Sequence, residues 1–235
     1  MPGDTAAIVL AAGRGRRMGG RNKAGLPLGG RPLLAHSLAT VKHAPSVAQV
    51  IVVLNPADRE ALRREWDRDL PALGADLGVA GGTERWNSSL AGCRAADPAL
   101  PILLVHDAAR PLVEEATVEA VIAAARERGA ALAAVPLADT LKREDASGNV
   151  AATPDRSGLW RAQTPQAFQR ELLLKAFAAW PAEGPLPTDE AVLVEALGTA
   201  PRLVAAPAFN LKVTTPDDLL VAEALLHARR KGIRT

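Results

Sequence analysis

The sequence has no tyrosine, and aromatic residues make up only 3% of its 235 residues. Proteins that bind single-stranded nucleic acids stack the bases on aromatic side chains, so this scarcity argues against that class of binder. The formal net charge of +2 is also too small for a general nucleic-acid binder. We therefore expect no nucleic-acid partner, and local arginine clusters are more informative than the total charge.

The only cysteine, Cys93, excludes an internal disulfide. It lies in an alanine-rich stretch, where a small buried residue is expected rather than a nucleophile. His106-Asp107 could suggest a nucleophilic dyad, but neither a serine elbow nor a reactive cysteine accompanies it, which argues against a hydrolase. Histidine and cysteine residues with the spacing of zinc ligands are also missing.

Long apolar runs are absent too. No run reaches the length of a transmembrane helix, and no signal peptide precedes the first predicted strand. These absences predict a cytoplasmic protein without a membrane partner. A hydrophobic content of 48% can supply the core of one large domain, and no repeat or linker divides the chain. We therefore expect a single domain over residues 1–235.

The most informative stretch is a basic, glycine-rich loop over residues 11–20, with Lys23 just beyond it. The apolar run Ala6–Leu10 precedes the loop and predicts a buried strand. Glycines let main-chain N–H groups approach an anion, and arginines donate to phosphate oxygens. The loop therefore predicts a site for a phosphate chain, and a merely solvated basic turn is the less favoured alternative.

This loop matches neither of two familiar phosphate-binding motifs. The dinucleotide fingerprint needs a third glycine where Met18 stands. The P-loop needs Lys followed by Ser or Thr after its last glycine, but Arg21-Asn22 follows Gly20.

Buried strands and amphipathic helices alternate over the first two thirds of the chain. The predicted strands after the first are Val47–Leu54, a short strand at Gly78–Ala80, Pro101–Val105 and Ala130–Val135. The predicted helices between and after them are Arg31–Val41, Ala57–Trp66, Thr83–Ala96 and Glu115–Arg128. This alternation predicts an α/β fold with a doubly wound, mainly parallel sheet. Ligands bind such sheets beyond the carboxyl ends of the strands, where the first loop, Gly81-Gly82 and His106-Asp107 all fall.

The alternation stops after Pro136. Short extended pieces around the turn Ser147-Gly148-Asn149 predict a hairpin arm over residues 137–163, the alternative being a long surface loop. Beyond the arm, a helix is expected from near Arg170, a helix cap at Thr188-Asp189-Glu190 and a strand at Arg202–Ala206. The last helix is expected to open with Thr215-Pro216-Asp217-Asp218.

Two side chains stand out chemically near the predicted phosphate site. Lys23 is a candidate for stabilising negative charge on a transferring phosphorus. Asp107 is one carboxylate among many cations, which suits a Mg²⁺ site or a contact with a ribose or a phosphate ester. The alternative for Asp107 is an ion pair with Arg110.

Eight motifs occur in a distinctive order along the chain: Ala11–Met18, Gly81–Ser88, His106–Pro111, Asp139–Lys142, Asp155–Trp160, Gln163–Gln166, Thr188–Ala191 and Asn210–Thr214. The first alone marks only the broad nucleotidyltransferase superfamily. The ordered set resembles the 2-C-methyl-D-erythritol 4-phosphate cytidylyltransferase family over nearly the whole chain. The resemblance implies a Rossmann-like nucleotidyltransferase fold with a protruding β-arm.

The resemblance also implies a reaction. CTP and methylerythritol phosphate, with Mg²⁺ or another divalent cation, would give the CDP-alcohol and pyrophosphate in the non-mevalonate route to isoprenoid precursors. The substrate phosphate would attack the α-phosphorus of CTP in line. Two alternatives stay open: a ribitol-5-phosphate cytidylyltransferase, which shares most of the motifs, and a non-catalytic nucleotide-binding module.

Residue roles follow from the same resemblance. Arg17 and Lys23 would stabilise the transition state, and Arg156 and Lys212 would position the attacking phosphate. The nucleotide would contact Ala11, Ala12, Gly13, Gly15, Gly82, Thr83, Ser88, Asp107 and Ala108. The second substrate would contact Asp107, Arg110, Thr140, Arg156, Thr164 and Lys212, and Asp107 would also meet the metal. The arm resembles one that crosses into the other subunit of a homodimer, so Thr140 and Arg156 would serve the neighbour's site.

Overall fold

The computed structural model describes residues 3–13, 23–66, 69–181 and 183–233. The strands in chain order are β1 (Thr5–Leu10), β2 (Pro27–Leu28), β3 (Arg31–Pro32), β4 (Val47–Leu54), β5 (Leu77–Ala80), β6 (Ile102–Asp107), β7 (Ala130–Pro136), β8 (Arg143–Glu144), β9 (Val150–Ala152), β10 (Trp160–Gln169) and β11 (Arg202–Ala205). The α-helices are α1 (Leu33–His43), α2 (Pro56–Trp66), α3 (Arg85–Ala95), α4 (Glu115–Arg128), α5 (Arg170–Ala179), α6 (Glu190–Glu195) and α7 (Pro216–Arg230). Short 3₁₀ helices lie at Lys23–Gly25 and Pro71–Leu73.

Seven strands form the central sheet, in the order β11-β7-β10-β6-β1-β4-β5. Strand β1 runs parallel to β4 and β6, β4 is parallel to β5, and β7 is parallel to β11. Only β10 runs antiparallel to its neighbours, β6 and β7. The predicted α/β fold with a mainly parallel sheet is therefore confirmed.

Strand β10 was not expected, because its middle does not have the composition of a strand. The stretch Gln163–Gln166 is polar and contains a proline, and the pairing of β10 with β7 shifts register between Ala162 and Gln166. The polar residues of this stretch are nevertheless buried. The strand begins at Trp160, inside the range predicted for the arm.

The sheet is covered on both faces, which explains why β1 is apolar from Ala6 to Leu10. Ala7 and Val9 belong to a core that includes residues of α1 and α4, whereas Ala6 and Ile8 belong to a core that includes Phe168. Strands buried on both faces have continuous rather than alternating apolar sequences. Cys93 lies in the second core and is fully buried, as predicted.

Capping residues set the helix boundaries. Helix α1 begins at Leu33, since Pro32 precedes it with extended backbone angles (φ −61°, ψ 141°). Helix α3 begins at Arg85, two residues later than predicted, because Glu84 is its N-cap and donates its N–H to Asn87 Oδ1 at 3.3 Å. Helix α7 has the predicted cap, with Thr215 Oγ1 accepting from its third residue. Within the described part of the chain, no helix has the length and apolar character needed to cross a membrane.

The predicted arm contains the hairpin β8–β9. Arg143 pairs with Ala152 and Glu144 pairs with Val150 in antiparallel register. Asp145 Oδ1 closes the turn by accepting from the N–H groups of residues 147 and 149, at 2.8 and 2.9 Å. Residues 142–153 are all exposed. The hairpin prediction is confirmed, whereas a role in dimer formation stays a prediction.

Candidate active site

The site lies where three parallel strands end. Leu10 of β1 is level with Val53 of β4 and Asp107 of β6. The pairing continues past the strand ends, because Ala11 donates to the carbonyl of Val53 at 2.7 Å and Ala108 donates to that of Leu10 at 3.0 Å. These bonds draw the loops after the strands together at one edge of the sheet.

The loops enclose a cleft of about 420 Å³. The predicted site residues that line it are Ala11, Ala12, Gly13, Lys23, Gly82, Thr83, Ser88, Asp107, Ala108 and Lys212. Four others, Arg110, Thr140, Arg156 and Thr164, do not line it. Gly15 and Arg17 lie outside the described residues.

One wall of the cleft is the turn at Gly81-Gly82, which Ser88 holds in place. The Ser88 hydroxyl accepts from the N–H of Gly82 at 3.0 Å and donates to the carbonyl of Glu84 at 3.2 Å. A Cβ added at Gly81 would lie 2.5 Å from the Cβ of Ala12, so the turn and the first loop approach as closely as a glycine permits. The turn and the first loop therefore line the cleft at close range to each other.

Asn55 supports the first loop through a hydrogen bond. It was not predicted as a site residue from the sequence. It follows β4, lines the cleft and donates from Nδ2 to the carbonyl of Ala12 at 3.2 Å. The same nitrogen donates to Asp58 Oδ2 of α2 at 3.2 Å. The signal in the sequence that could have identified Asn55 as a site residue is its position directly after a buried strand.

Two lysines from distant parts of the chain, Lys23 and Lys212, line the cleft. Lys212 Nζ lies 2.6 Å from Asp107 Oδ2, and Lys23 Nζ donates to the carbonyl of Val213 at 3.3 Å. The Val213 N–H in turn donates to the carbonyl of Ala109 at 2.7 Å. Both predicted cations therefore belong to the cleft, and Lys23 contacts the residue that follows Lys212.

Asp107 is paired with Arg85 and Lys212, so the ion pair with Arg110 that the sequence left open as the alternative is not formed. Arg85 Nη2 lies 3.3 Å from Asp107 Oδ1, whereas Arg110 Nη1 donates to the carbonyl of Asn210 at 2.8 Å. Burial by itself would raise the pKa of Asp107, but the two paired cations outweigh it and hold the pKa well below its usual range. The carboxylate is therefore ionised at neutral pH.

Arg85 joins the cleft to a buried carboxylate. Its Nη1 lies 2.7 Å from Glu190 Oε1 of α6, a side chain that is only 1% exposed. Burial works to lower the pKa of Arg85, but Glu190 and Asp107 raise it above its ordinary value. No functional role was predicted from the sequence for Arg85 or Glu190, although both lie within the ordered motifs.

Thr164 and His106 form a neutral network beneath Asp107. Thr164 Oγ1 accepts from the N–H of Asp107 at 3.0 Å and lies 3.2 Å from His106 Nδ1. His106 Nε2 lies 3.3 Å from the carbonyl of Arg110, an oxygen that only accepts, so we assign the proton to Nε2. Burial lowers the pKa of His106 to about 4. His106 is therefore neutral at physiological pH and has a structural position.

Asn210 ties the Lys212 segment to the same network. This buried residue donates from Nδ2 to Gln163 Oε1 at 2.9 Å and to the carbonyl of Thr164 at 3.0 Å. Since Arg110 donates to the carbonyl of Asn210, this residue is anchored through both its side chain and its main chain, two positions before Lys212. The buried Arg110 thus supports the cleft without lining it, because it holds Asn210.

The two predicted arm residues are separate from this cleft. Thr140 and Arg156 are both exposed, and Arg156 Nη1 donates to the carbonyl of Ala138 within the arm. Thr140 and Arg156 are therefore not placed to contact a substrate in the cleft of their own chain.

A divalent cation would find the carboxylates of Asp107 and Glu84 among the residues that line the cleft. No group of three or more histidine, cysteine, aspartate or glutamate residues that could hold a metal occurs in residues 3–13, 23–66, 69–181 and 183–233. One carboxylate together with substrate phosphates is a common way to bind Mg²⁺. A carboxylate oxygen offers two lone pairs, so Asp107 can keep both cations and still bind a metal. The donor set therefore fits a Mg²⁺ ion that arrives with phosphates.

Comparison with known proteins decides the family. Residues 5–228 match the family model IspD, 2-C-methyl-D-erythritol 4-phosphate cytidylyltransferase. The chain belongs to this family. The protein of that name from Aromatoleum aromaticum is 48% identical over 95% of both chains, and that from Alkaliphilus oremlandii is 37% identical over 97% of both chains.

Solved structures of the cytidylyltransferase family agree in fold. The 2-C-methyl-D-erythritol 4-phosphate cytidylyltransferase from Thermus thermophilus has a TM-score of 0.79 at 35% identity, over 97% of this chain and all of that one. The 4-diphosphocytidyl-2C-methyl-D-erythritol synthase from Anaerococcus prevotii has a TM-score of 0.80 at 28% identity, over 96% of both chains. The Rossmann-like nucleotidyltransferase fold expected from the sequence is therefore confirmed.

Proposed function

We propose that this chain transfers the cytidylyl group of CTP to 2-C-methyl-D-erythritol 4-phosphate, in the non-mevalonate route to isoprenoid precursors. Membership of the family supports the identity of the substrates. The observation that supports the chemistry best is that Lys23 and Lys212 line one cleft, with Lys212 paired to Asp107 at the end of β6 and Lys23 bound to the carbonyl of the next residue, Val213. Two cations in one cleft suit a reaction between two phosphates.

The nucleotide occupies the half of the cleft between the first loop and the Gly81-Gly82 turn. Cytosine is read by main-chain groups of residues 11, 12, 82 and 83, with Ser88 holding the turn that presents them. Asp107 and Ala108 meet the ribose. The triphosphate follows the glycine-rich loop, with Gly13 and Gly15 admitting it closely and Arg17 and Lys23 neutralising its charge.

The acceptor phosphate binds on the side of Lys212. One of its oxygens attacks the α-phosphorus of CTP, and the bond from that phosphorus to the β-phosphate oxygen breaks, so pyrophosphate leaves. Lys212 orients the attacking phosphate, while Lys23 stabilises the charge that develops on the transferring group. Such chemistry depends mainly on positioning and on preorganised charge. Thr164 and Arg110 act indirectly. Thr164 holds the main chain of Asp107, and Arg110 holds Asn210, two positions before Lys212.

Mg²⁺ would be held by Asp107 together with the triphosphate, and it would offset the negative charge of the leaving pyrophosphate. We also propose a homodimer in which the arm brings Thr140 and Arg156 to the acceptor phosphate in the partner's cleft. The exposure of both residues, away from the cleft of their own chain, supports this arrangement. The proposed location is the cytoplasm.

Acceptor specificity tests the proposal. Pyrophosphate release is measured with CTP and Mg²⁺, adding methylerythritol phosphate or ribitol 5-phosphate. We expect turnover with methylerythritol phosphate and little with ribitol phosphate. The named relatives described above do not favour the ribitol alternative. Preference for ribitol phosphate would contradict the proposed acceptor, and CTP binding without release in either case would indicate a non-catalytic module.

A further inference from the structure

Four charged side chains of alternating sign run from the protein interior to the cleft. Glu190 is buried and contacts Arg85, Arg85 contacts Asp107, and Asp107 contacts Lys212. Glu190, at the buried end, is 1% exposed and Lys212, at the cleft end, is 40% exposed, with Arg85 at 29% and Asp107 at 10% between them. We call these four residues the charge series.

The contacts of Arg85 fix how the Asp107 carboxylate is turned. Arg85 uses Nη1 for Glu190, and its Nε and Nη2 both lie 3.3 Å from Asp107 Oδ1. A guanidinium is planar and rigid, so holding one end of it orients the other. Oδ1 is thereby engaged with Arg85, and Oδ2 faces Lys212 at 2.6 Å.

We propose that Arg85, anchored by Glu190, is a positioning residue for the transfer reaction. It holds the Asp107 carboxylate so that only one oxygen serves Lys212, and the Lys212 ammonium stays directed at the acceptor phosphate. This inference rests on the function proposed above and assigns a role to two residues for which family resemblance implied none.

Stability alone does not explain the buried Glu190–Arg85 pair. Taking two charges out of water costs about as much as their attraction returns, so buried ion pairs often add little net stability. Glu190 Oε2 also lacks a hydrogen-bond partner among the described residues, which adds to the cost of keeping this carboxylate buried. The pair is therefore better explained by what it does to Asp107.

Side chains of β10 support the same interpretation, because they contact both the start of α6 and the main chain of Asp107. Gln166 donates to Asp189 Oδ2 at 3.0 Å and accepts from the N–H of Ala191 at 3.1 Å, which fixes the start of α6, where Glu190 lies. Two residues earlier, Thr164 accepts from the N–H of Asp107. Strand β10 thus holds the main chain of Asp107 directly. It acts on the Asp107 side chain only indirectly, through the start of α6, where Glu190 contacts Arg85.

Charge balance predicts the consequence of losing Arg85. In the charge series, two cations balance two carboxylates. Without Arg85, Asp107 keeps its ion pair with Lys212, whereas Glu190 loses the ion pair that it forms with Arg85. Lys212 is then drawn to the freed Asp107 carboxylate, and the added negative charge repels anionic substrates. Orientation of the acceptor phosphate then suffers even though Lys212 is still present.

A set of variants separates positioning from mere structural support. Arg85→Gln leaves Glu190 buried and unpaired, so a lower melting temperature is expected together with low turnover. The double variant Arg85→Gln/Glu190→Gln removes both charges of the pair and keeps the net charge unchanged. We expect its melting temperature to return toward the wild-type value, while kcat with saturating substrates stays about 10- to 100-fold low.

Arg85→Lys provides a second test that keeps the charge at position 85. A single ammonium cannot hold Glu190 and Asp107 in the fixed fork of a guanidinium, so kcat is expected to fall while the melting temperature changes little. Arg94→Gln, an exposed arginine on the same helix, is the matched control and should behave as the wild type.

Wild-type kcat in the folded double variant, or in Arg85→Lys, would overturn the positioning role. Absence of transfer by the wild-type protein itself would instead contradict the proposed function. The two failures are distinguishable because the wild type is assayed in the same series with both substrates.

Discussion

The cleft and the arm carry residues predicted for the same reaction, yet they are built in opposite ways. In the cleft, Asp107 is held by Arg85, Lys212 and Thr164, which come from three other elements of the chain. In the arm, the carboxylates of Asp145 and Asp155 accept from groups two to four residues away. Asp107 in the cleft is thus preorganised by contacts between distant segments, whereas these two carboxylates of the arm are held by groups close to them in sequence.

This difference has a functional meaning under the proposed mechanism. Lys212 needs no second chain to take its place beside Asp107. Arg156 lies on an exposed element away from the cleft, so a partner subunit is required to give it a defined place relative to a substrate. Preorganisation within the subunit and completion by the partner can be tested separately.

The largest expected effect comes from the lysines of the cleft. Lys212→Gln and Lys23→Gln should each lower kcat by about 10²- to 10³-fold, the usual result of removing one preorganised electrostatic donor. Steady-state kinetics with saturating substrates measure the effect. Lys175→Gln, an exposed lysine on α5, serves as the control. Turnover near the wild-type value in both cleft variants would show that these lysines do not have the proposed roles.

The arm gives the next largest effect. Arg156→Gln should lower kcat/KM by about 10- to 100-fold, by analogy with the loss of a residue that orients a ligand. If sites are shared, mixing Arg156→Gln and Lys212→Gln subunits should restore activity. Random pairing gives half mixed dimers with one intact site each, or about a quarter of the wild-type activity. Mixtures no more active than their components, after verified exchange, would contradict shared sites.

Acid should weaken the cleft through His106, which is neutral in the folded protein. Its pKa of about 4 lies below the ordinary 6.5, so between these values the unfolded chain binds a proton that the folded chain does not. Its stabilising contribution is complete above about pH 6.5 and is lost as the pH falls toward 4.

Chemical unfolding of the wild type and His106→Gln at pH 7 and pH 5 checks this linkage. From pH 7 to 5, the wild type should lose about 2 kcal/mol more of its unfolding free energy than the variant does. Equal losses in the wild type and His106→Gln would disprove the assignment.

The smallest effect is expected in the hairpin. Val150 is 62% exposed, so Val150→Ala should change the free energy of unfolding by less than about 0.5 kcal/mol. Val105→Ala in β6, at a fully buried valine, should destabilise the protein measurably because it leaves a cavity. Similar losses in the two variants would show that the hairpin is packed more tightly than its exposure implies.

The sequence predicted best what depends on local composition. The apolar runs of β1 and β4 and the cap at Thr215 were found because burial and capping leave signatures within a few residues. Strand β10 was missed because its polar residues are buried by partners far along the chain, such as Asn210 with Gln163. A propensity scale cannot detect those partners.

Within the site, the sequence predicted the residue types but not all of the pairings. Loops at the strand ends were expected to converge, and the cleft contains most of the residues predicted for it. An ion pair of Asp107 with the nearby Arg110 was the alternative left open, yet Asp107 pairs with Arg85, which precedes it by 22 positions, and with Lys212. Nearness in sequence suggested that alternative, but Arg110 turns into the interior to hold Asn210.

The most direct test of the central claim is product analysis by mass spectrometry after incubation of the protein with CTP, Mg²⁺ and methylerythritol phosphate. We expect the CDP-alcohol and pyrophosphate in equal amounts, and neither when the acceptor is omitted. Pyrophosphate formed without the acceptor, or CTP bound without any product, would contradict a cleft built to join the two phosphates.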